Sequence, residues 1–307
     1  MLIKLPRTHV PATSRVRIRQ WLAAEEIDAE FLFEDLKFSL VVLDQYEPGV
    51  DRILAERAEL GELSWLGGPA LGPLEQWPRT VDGEPLAHIA TIHLSEAQAL
   101  LESDDFTEAD WPEPGARLPE SGYLEVFQHL GTYGNPEDAD TAGWLVRHVP
   151  FPGEKFPPLI SAPKDLELPH EVCQPVLLGA GVSLPRSVDF VDADETRFAS
   201  AERVQEELYA TWMAWRRGVD TVTVPVIPTS HLYGHSDAGT GYAHDILHQV
   251  RPLSGSEDAY VLVLSVESWT HFGGWFGDAG NFEVWMRASD LQTGQFDQAW
   301  CMIRTDH

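Results

Sequence analysis

The sequence predicts a mixed α+β protein, rich in β-structure, in which two related units of antiparallel or mixed sheet follow a helical N-terminal extension. The first observation is a repeat: residues 122–127 read GYLEVF, and residues 280–285 read GNFEVW. The second observation is that each copy follows a glycine-rich turn and an apolar strand and precedes a further strand. An internal duplication explains both, and we expect a cleft where the two units meet.

The composition supports a folded chain with a large apolar core. The chain has 307 residues, of which 43% are hydrophobic, and it contains 11 Trp and 13 Phe. A chain of this length can bury one large core or two modest ones. Aromatic side chains in this number favour packed sheets over a disordered polymer.

Residues 1–62 predict a helical arm. A helix start signal, PATS, occupies residues 11–14, and apolar residues recur at roughly helical spacing through residues 16–27. A second apolar stretch covers residues 31–43 and a third covers residues 50–63, and both are interpreted as helices.

The first sheet unit is predicted over residues 63–149 and opens at a glycine-rich turn, WLGGP. Its predicted elements are, in order, a strand at residues 86–92, a short helix at 97–101, a strand at 122–129 and a strand at 144–149. The helix is supported by the capping-box pattern SEAQ at residues 95–98.

A proline-rich connector and a helix are predicted to separate the two units. Seven prolines between residues 150 and 175 exclude regular helix there, and we expect residues 150–200 to lie as a connector across the surface. Ser200 is the predicted cap of a helix at residues 201–218 that stops at Gly218. The second unit is predicted over residues 219–307, with strands at 260–266, 280–285 and 298–304.

Charge and cysteine content limit the classes of partner. The net charge is −28 at pH 7, which argues against nucleic acid or an anionic membrane as partner, because phosphate-binding surfaces need clustered Lys and Arg. A basic protein partner is compatible with this charge. Two cysteines are too few for a disulfide framework, and no apolar run reaches the roughly 20 residues of a membrane helix. These observations predict a cytoplasmic protein.

Short motifs carry a resemblance to a known family. Residues 273–280 read GGWFGDAG, and residues 66–69, 77–78 and 232–235 read LGGP, WP and LYGH. Together they resemble the YwqG-like family (DUF1963), over residues 63–307. The resemblance implies a bacterial protein without an established activity, and some members have been suggested as immunity proteins beside secreted toxins.

The sequence departs from the family pattern at three positions. Ser236 stands where the family often has Pro, and His93 and Ser265 stand where a Gln is frequent. If those Gln residues serve a shared site, the site differs in this chain.

Two segments supply the candidate ligand-binding residues. His235 and Asp237 lie in the turn GHSDAG, which resembles a nucleophile elbow around Ser236. Ala238 replaces the second glycine of that motif, so a simple turn is favoured and no catalytic residue is predicted. Trp269, Trp275 and Asp278 share a second loop, where aromatic rings and a carboxylate could hold a sugar, a peptide or a cation.

Four histidines between residues 231 and 248 form the only histidine-rich segment. Their H-x3-H spacings could place pairs on one helix face and so form a metal site. Two glycines interrupt a single helix, so surface or hydrogen-bonded histidines are favoured. His244 and His248 remain the weak metal candidates, and no metal or cofactor is predicted.

The sequence favours a binding protein over an enzyme. The leading hypothesis is a cytoplasmic protein that binds a basic protein, as an immunity-type protein neutralising a toxin would. The alternative is a small-molecule-binding protein or metal-dependent enzyme that uses the cleft between the two sheet units. No oligomeric state is predicted.

Overall fold

A computed structural model describes residues 15–44, 49–60, 63–101, 117–151, 156–191, 194–219, 225–278 and 280–305. The α-helices are α1 Arg15–Ala24, α2 Val50–Leu60, α3 Leu94–Leu101, α4 Glu195–Arg216, α5 Thr240–Val250, α6 Ser268–His271 and α7 Ala288–Gln292. The strands are β1 Lys37–Asp44, β2 Ser64–Gly67, β3 Ala70–Leu71, β4 Ala87–His93, β5 Tyr123–Gln128, β6 Trp144–Val149, β7 Leu159–Ile160, β8 Cys173–Ser183, β9 His231–Leu232, β10 Tyr260–Glu267, β11 Asn281–Arg287 and β12 Trp300–Arg304.

Ten of these strands form one antiparallel sheet in the order β12-β11-β10-β9-β1-β8-β2-β4-β5-β6, and β3 pairs with β7 beside it. The two ends of the large sheet approach each other. Trp144 Nε1 on β6 donates to the carbonyl of Ala299 at 3.1 Å, and the rings of Trp144 and Trp300 lie 4.6 Å apart. The sheet is therefore nearly closed, and the predicted α+β fold class, rich in β-structure, is confirmed.

Both faces of the sheet are covered. Leu124, Val126, Phe282 and Val284 point into the main apolar core. Because side chains alternate along a strand, the residues between them point to the opposite face. On that face α5 packs against the β10–β12 region, with Leu247 among its buried contacts. Sheet residues on both faces are consequently buried.

The two repeated segments lie at matching positions in the sheet. β5 and β11 are each second from an end of the strand order. The strand beside each has an irregular register, between His88 and Ala90 next to β5 and between Leu262 and Leu264 next to β11. Each repeated segment thus forms the second strand from one end of the sheet.

The helical interpretation of residues 31–43 is wrong. Only a short 3-10 helix, Glu30–Phe33, forms there, and β1 follows it between β8 and β9. Leu40 on β1 faces the main core, whereas Val41 packs against Trp212 on the other side. A strand buried on both faces has no alternation of polar and apolar residues, so its sequence does not differ from that of a buried helix.

The predicted connector contains a central strand. β8 pairs with β1 over eight residue pairs, from Lys37 with Ser183 to Asp44 with Val176. Pro175 lies just beyond that pairing, where β8 contacts β2 alone, so its missing N–H removes no bond to β1. Residues from the predicted arm, the connector and both units therefore share one sheet.

Most other elements agree with the sequence predictions. The predicted strands at residues 86–92, 122–129, 144–149, 260–266 and 280–285 are confirmed with small shifts at their ends. α4 begins at Glu195, earlier than predicted, because the Asp194 side chain accepts the backbone N–H of Thr196 at 2.7 Å and caps the helix there. Within the described ranges, none of the helices combines the length and apolarity that a bilayer crossing requires.

Candidate functional site

Buried and partly buried polar side chains surround Asp237, just after β9. Arg186 forms an ion pair with Oδ1 of Asp237. The other oxygen, Oδ2, lies 3.5 Å from His231 Nε2 and accepts a hydrogen bond from Ser265 Oγ at 3.4 Å. We call Arg186, His231, Asp237 and Ser265 the Asp237 cluster.

The local fold explains why these residues meet. β9 pairs with β10, which sets His231 opposite Ser265. After β9 the chain turns through Tyr233 and Gly234, whose φ angles are +61° and +85°. A Cβ on Gly234 would lie 2.7 Å from Ser183 Cβ, so this turn requires glycine and brings Asp237 back over the sheet.

Asp237 is held as a carboxylate beside the cation of Arg186. Burial favours a higher pKa for Asp237, but Arg186 and His231 outweigh this effect and hold the pKa below its usual value. His231 Nδ1 lies 2.7 Å from the carbonyl of Tyr233 and must donate to it. The other ring nitrogen, Nε2, faces Oδ2 of Asp237.

A second buried carboxylate, Glu283, lies on the neighbouring strand β11. Its side chain accepts hydrogen bonds from Ser236 Oγ at 2.6 Å and Trp285 Nε1 at 2.9 Å. Burial raises the pKa of Glu283, although these hydrogen bonds and the charge of Arg304 oppose the rise. Ser236 thus connects the turn before Asp237 to the centre of β11.

Arg304, at the end of β12, is a buried cation. Only 7% of the residue is exposed, and its guanidinium lies 4.8 Å from the centre of the Tyr242 ring. Nη2 contacts the thioether sulfur of Met302, and Nε has no hydrogen-bond partner among the described residues. Burial lowers the pKa of Arg304. Its guanidinium therefore has no oxygen acceptor in the part of the chain that the structure describes.

An open cavity of about 740 Å³ is lined by two of these groups, Asp237 and Arg304. We call it the seam cavity, because it lies where the two ends of the sheet approach each other. Its lining residues come from several elements: Tyr133, Asn135, Val188, Gln205, Asp237, Ala238, Tyr242, Ile303, Arg304 and Thr305. A smaller pocket of about 50 Å³, lined by Arg186 and His231 among others, shares Gln205 and Asp237 with it. Asp237 thus lies between the two spaces.

The first half of the sheet has its own buried carboxylate, Glu125 on β5. Arg147 Nε donates to Glu125 Oε2 at 2.8 Å, and Leu71 N donates to Oε1 at 2.6 Å. Thr91 Oγ1 also donates to Oε1, at 3.3 Å, and contacts His88 Nε2 at 3.0 Å. Burial lowers the pKa of His88. This carboxylate is fully satisfied by the protein, which indicates a structural role.

The sequence-predicted residues do not form one site. His235 and Asp237 share the turn after β9, but His235 Nε2 contacts the carbonyl of Asp35 at 2.5 Å. Burial, reinforced by Lys37, lowers the pKa of His235 to about 4, so the side chain is neutral at pH 7. Ser236 is buried in this turn and hydrogen-bonded to Glu283, so it is not exposed as a nucleophile would be.

None of Trp269, Trp275 and Asp278 lines the seam cavity. Trp269 is half exposed. Trp275 is buried, its Nε1 donates to the carbonyl of His170 at 3.2 Å, and its ring lines a different cavity of about 500 Å³. Asp278 is exposed, and its backbone carbonyl accepts a hydrogen bond from Thr305.

The histidine pair on α5 packs against aromatic rings. His244 and His248 share a helix, as their spacing predicts, and their ring centres are 6.4 Å apart. His248 Nδ1 contacts the hydroxyl of Tyr260, whereas the pKa of His244 is lowered chiefly by burial. Among the described residues, no three His, Cys, Asp or Glu side chains are grouped so that they could hold a metal ion.

Sequence reasoning missed the other members of the site. Arg186 lies 51 residues from Asp237, and nothing near it in the sequence signals this contact. Glu283 did carry a signal, because it is a charged residue in the middle of an otherwise apolar strand and the same position is charged in residues 122–127.

A model described as a domain of unknown function (DUF1963) matches residues 64–304. No curated protein matches the chain. The matched range contains both repeated segments and every member of the Asp237 cluster, whereas β1 lies outside it.

Proposed function

Since the chain belongs to the DUF1963 family, a domain of unknown function, we propose its function from its own geometry: the protein binds a small molecule in the seam cavity. The observation that carries this proposal is the presence of buried charges on the wall of a cavity of about 740 Å³. Burying charge lowers stability unless it is compensated. The charge of Glu283 acts on Arg304, but the Arg304 guanidinium has no oxygen acceptor among the described residues, and a bound molecule would supply one.

The composition of the cavity also supports a ligand site. Binding pockets combine apolar and aromatic walls with a few polar groups that fix orientation. Here Tyr133, Tyr242 and Val188 provide the apolar surface, and Asp237 and Arg304 provide the charges. A volume of several hundred Å³ is typical of sites for small organic molecules.

The arrangement of the sheet supports the internal duplication that the sequence predicts. From the central pair β1 and β8, the strands β2, β4, β5 and β6 follow on one side, and β9, β10, β11 and β12 follow on the other. β1 precedes β2 in the chain but pairs with β9, whereas β8 precedes β9 but pairs with β2. We infer two related units that exchange their first strands.

Hydrogen bonds recur at equivalent positions of the two proposed units. Ser64 Oγ accepts the N–H of His93 at 3.0 Å, and Ser230 Oγ accepts the N–H of Glu267 at 3.1 Å. The residues that follow repeat a second bond, since Leu94 N donates to the Gly122 carbonyl at 2.9 Å and Ser268 N donates to the Gly280 carbonyl at 2.8 Å. An experimental structure in which a two-fold rotation fails to superpose β2, β4, β5 and β6 on β9 to β12 would contradict the duplication.

Blocking the seam cavity tests the binding function. Ala238 lines the cavity, so Ala238→Trp should fill part of it and displace the ligand. We expect a small molecule from a cell extract to remain bound to the wild-type protein through gel filtration, and Ala238→Trp to retain at least about tenfold less of it. Mass spectrometry of the denatured protein measures the bound molecule.

Ala210→Trp is the matched control, because Ala210 is exposed on α4 outside the cavity lining. It should retain the molecule at the wild-type level. Equal retention by Ala238→Trp and wild type, or absence of any retained molecule, would contradict the proposal.

Binding of a basic protein is a second candidate function, supported by the distribution of charge. The chain has 49 acidic and 21 basic residues. Three largely buried acids are paired with arginines, namely Glu125 with Arg147, Asp237 with Arg186, and Asp290 with Arg287. Other acids of the described residues are exposed, among them Glu25, Glu26 and Glu206. We propose the cytoplasm as the compartment, which cell fractionation can check, and an immunity-type role against a basic toxin as one form of this function.

Association driven by this charge should depend strongly on salt. We expect a basic partner captured by the immobilised protein at about 50 mM salt to be largely lost at about 0.5 M, because screening shortens the reach of exposed charges. Capture that does not change with salt would exclude charge as the basis of the interaction.

A further inference from the structure

Resting on the proposed small-molecule function, we propose that the ligand of the seam cavity carries an anionic group, a carboxylate or a phosphate, which binds between the Arg304 guanidinium and the N-terminus of α5. A guanidinium presents N–H donors in a planar fork that matches the oxygens of both anions. The shared chemistry of the two anions is an oxyanion with at least two acceptor oxygens.

Arg304 is a buried cation on the wall of the seam cavity. Only 7% of its surface is exposed. Its Nε atom has no hydrogen-bond partner among the described residues. Tyr242 covers one face of the guanidinium but leaves its N–H edge without an oxygen acceptor in the described ranges. An anion on that edge would supply the missing charge-assisted hydrogen bonds.

The N-terminus of α5 lies beside the seam cavity and also favours a bound anion. Ala238 and Tyr242, on either side of the helix start, both line the seam cavity. Gly239 precedes the helix and provides no side-chain cap, and the first turn contains no acidic residue. The Asp189 side chain, from outside the helix, accepts one first-turn N–H. Free N–H groups and the helix dipole together favour an anion at such an N-terminus. Two independent features of different elements thus favour negative charge in the same cavity.

The neighbouring carboxylates are already engaged. Both oxygens of Asp237 face donors, with Arg186 on one side and His231 and Ser265 on the other. Asp189 Oδ1 accepts the Gly241 N–H at 3.2 Å, so one first-turn donor is taken while the others are not bonded among the described residues. Glu283 is held by Ser236 and Trp285. These acids therefore do not supply the acceptor that Arg304 lacks.

The rest of the ligand is expected to be planar or apolar. Tyr133 is 44% exposed, Tyr242 is 61% exposed and Val188 is 48% exposed, although all three line the cavity. Exposed apolar side chains grouped around a charged cavity are typical of binding sites. An aromatic body with one anionic group fits this surface.

Three probes with one common ring test the proposal by calorimetry at constant ionic strength. Benzoate and phenyl phosphate carry the two candidate anions, and benzamide is the neutral control. We expect saturable binding of benzoate or phenyl phosphate, and binding of benzamide at least about tenfold weaker. The tighter of the two anions identifies carboxylate or phosphate as the preferred group. Binding of neither anion, or equal binding of benzamide, would overturn the proposal.

A pair of arginine variants tests the role of Arg304. Arg304→Gln should weaken the anionic probe by at least about tenfold without changing the affinity for benzamide. Arg251→Gln is the matched control, because Arg251 lies over the ring of Trp300 at 5.4 Å but donates to the Gln298 carbonyl. It should bind the probes as wild type does, and an equal loss in both variants would count against Arg304.

The result separates this inference from the proposed function. If a molecule retained by the wild-type protein and lost in Ala238→Trp carries no anionic group, the seam cavity binds a ligand but the anion assignment is wrong. If that molecule carries an anionic group and Arg304→Gln releases it, the result supports both the proposed function and the anion assignment.

Discussion

Gly134→Ala is expected to destabilise the protein by about 3 kcal/mol, because the new methyl group would collide with backbone. Gly134 has a φ of +76°, and a Cβ there would lie 2.1 Å from the Cys301 carbonyl oxygen and 2.9 Å from Met302 Cα. Neither contact can be relieved by a side-chain rotation. The loop must therefore move away from β12.

This movement would separate the two ends of the sheet. Trp300 Nε1 donates to the Gly134 carbonyl at 2.8 Å, and the Ile303 N–H donates to the Tyr133 carbonyl at 3.1 Å. Both bonds join β12 to the loop that follows β5. Because Tyr133 also lines the seam cavity, we expect weaker ligand binding together with the loss of stability.

Urea unfolding measures the effect, and Gly294→Ala is the matched control. Gly294 has a φ of +69°, but no atom lies within 4 Å of its added Cβ. Gly294→Ala should lower the free energy of unfolding by only about 1 kcal/mol, which is the cost of placing a side chain at positive φ. Equal losses in the two variants would show that positive φ, and not the contact with β12, explains the effect.

Arg147→Met is expected to cost about 3–5 kcal/mol, because it leaves the buried carboxylate of Glu125 without its cation. The Glu125 side chain is fully buried, and Arg147 also donates to the carbonyls of Leu71 and Pro73. A buried, unpaired charge is among the few single changes that lower the free energy of unfolding by this amount.

Two comparisons isolate the charge in this experiment. Adding Glu125→Gln to Arg147→Met should restore part of the lost stability, since the amide oxygen can still accept from Leu71 N. Arg79→Met removes an arginine from an exposed pair with Asp165 and should have little measurable effect. A double variant less stable than Arg147→Met would contradict the charge explanation.

The repeated glutamate shows what the sequence could predict. The local pattern of residues 122–127 and 280–285 predicts two strands, and each of them is second from an end of the sheet. The strands of such a meander are neighbours in the chain, and each repeated segment carries a short apolar run with β-branched and aromatic residues that is typical of a strand. The carboxylates stand out for the same reason.

Elements fixed by distant contacts could not be predicted. β1 is buried on both faces by residues far along the chain, including Trp212, so its pattern lacked the period of a half-buried strand. Arg186 reaches Asp237 only because a short 3-10 helix, Ser187–Phe190, follows it and packs beside α4. The burial of Arg304 could not be predicted, because the residue lies at the end of a strand, where a charged side chain is usually solvated.

Because β1 lies in the centre of the sheet but outside the range that the family model matches, the folding unit is longer than that range. A polypeptide limited to residues 64–304 would lack the strand that lies between β8 and β9. β8 and β9 would then each have an unpaired edge where β1 is missing. Unpaired strand edges form hydrogen bonds with other chains and so promote aggregation. Recombinant work that trims the gene to the recognised region would therefore yield aggregates, whereas a start before residue 37 preserves the sheet.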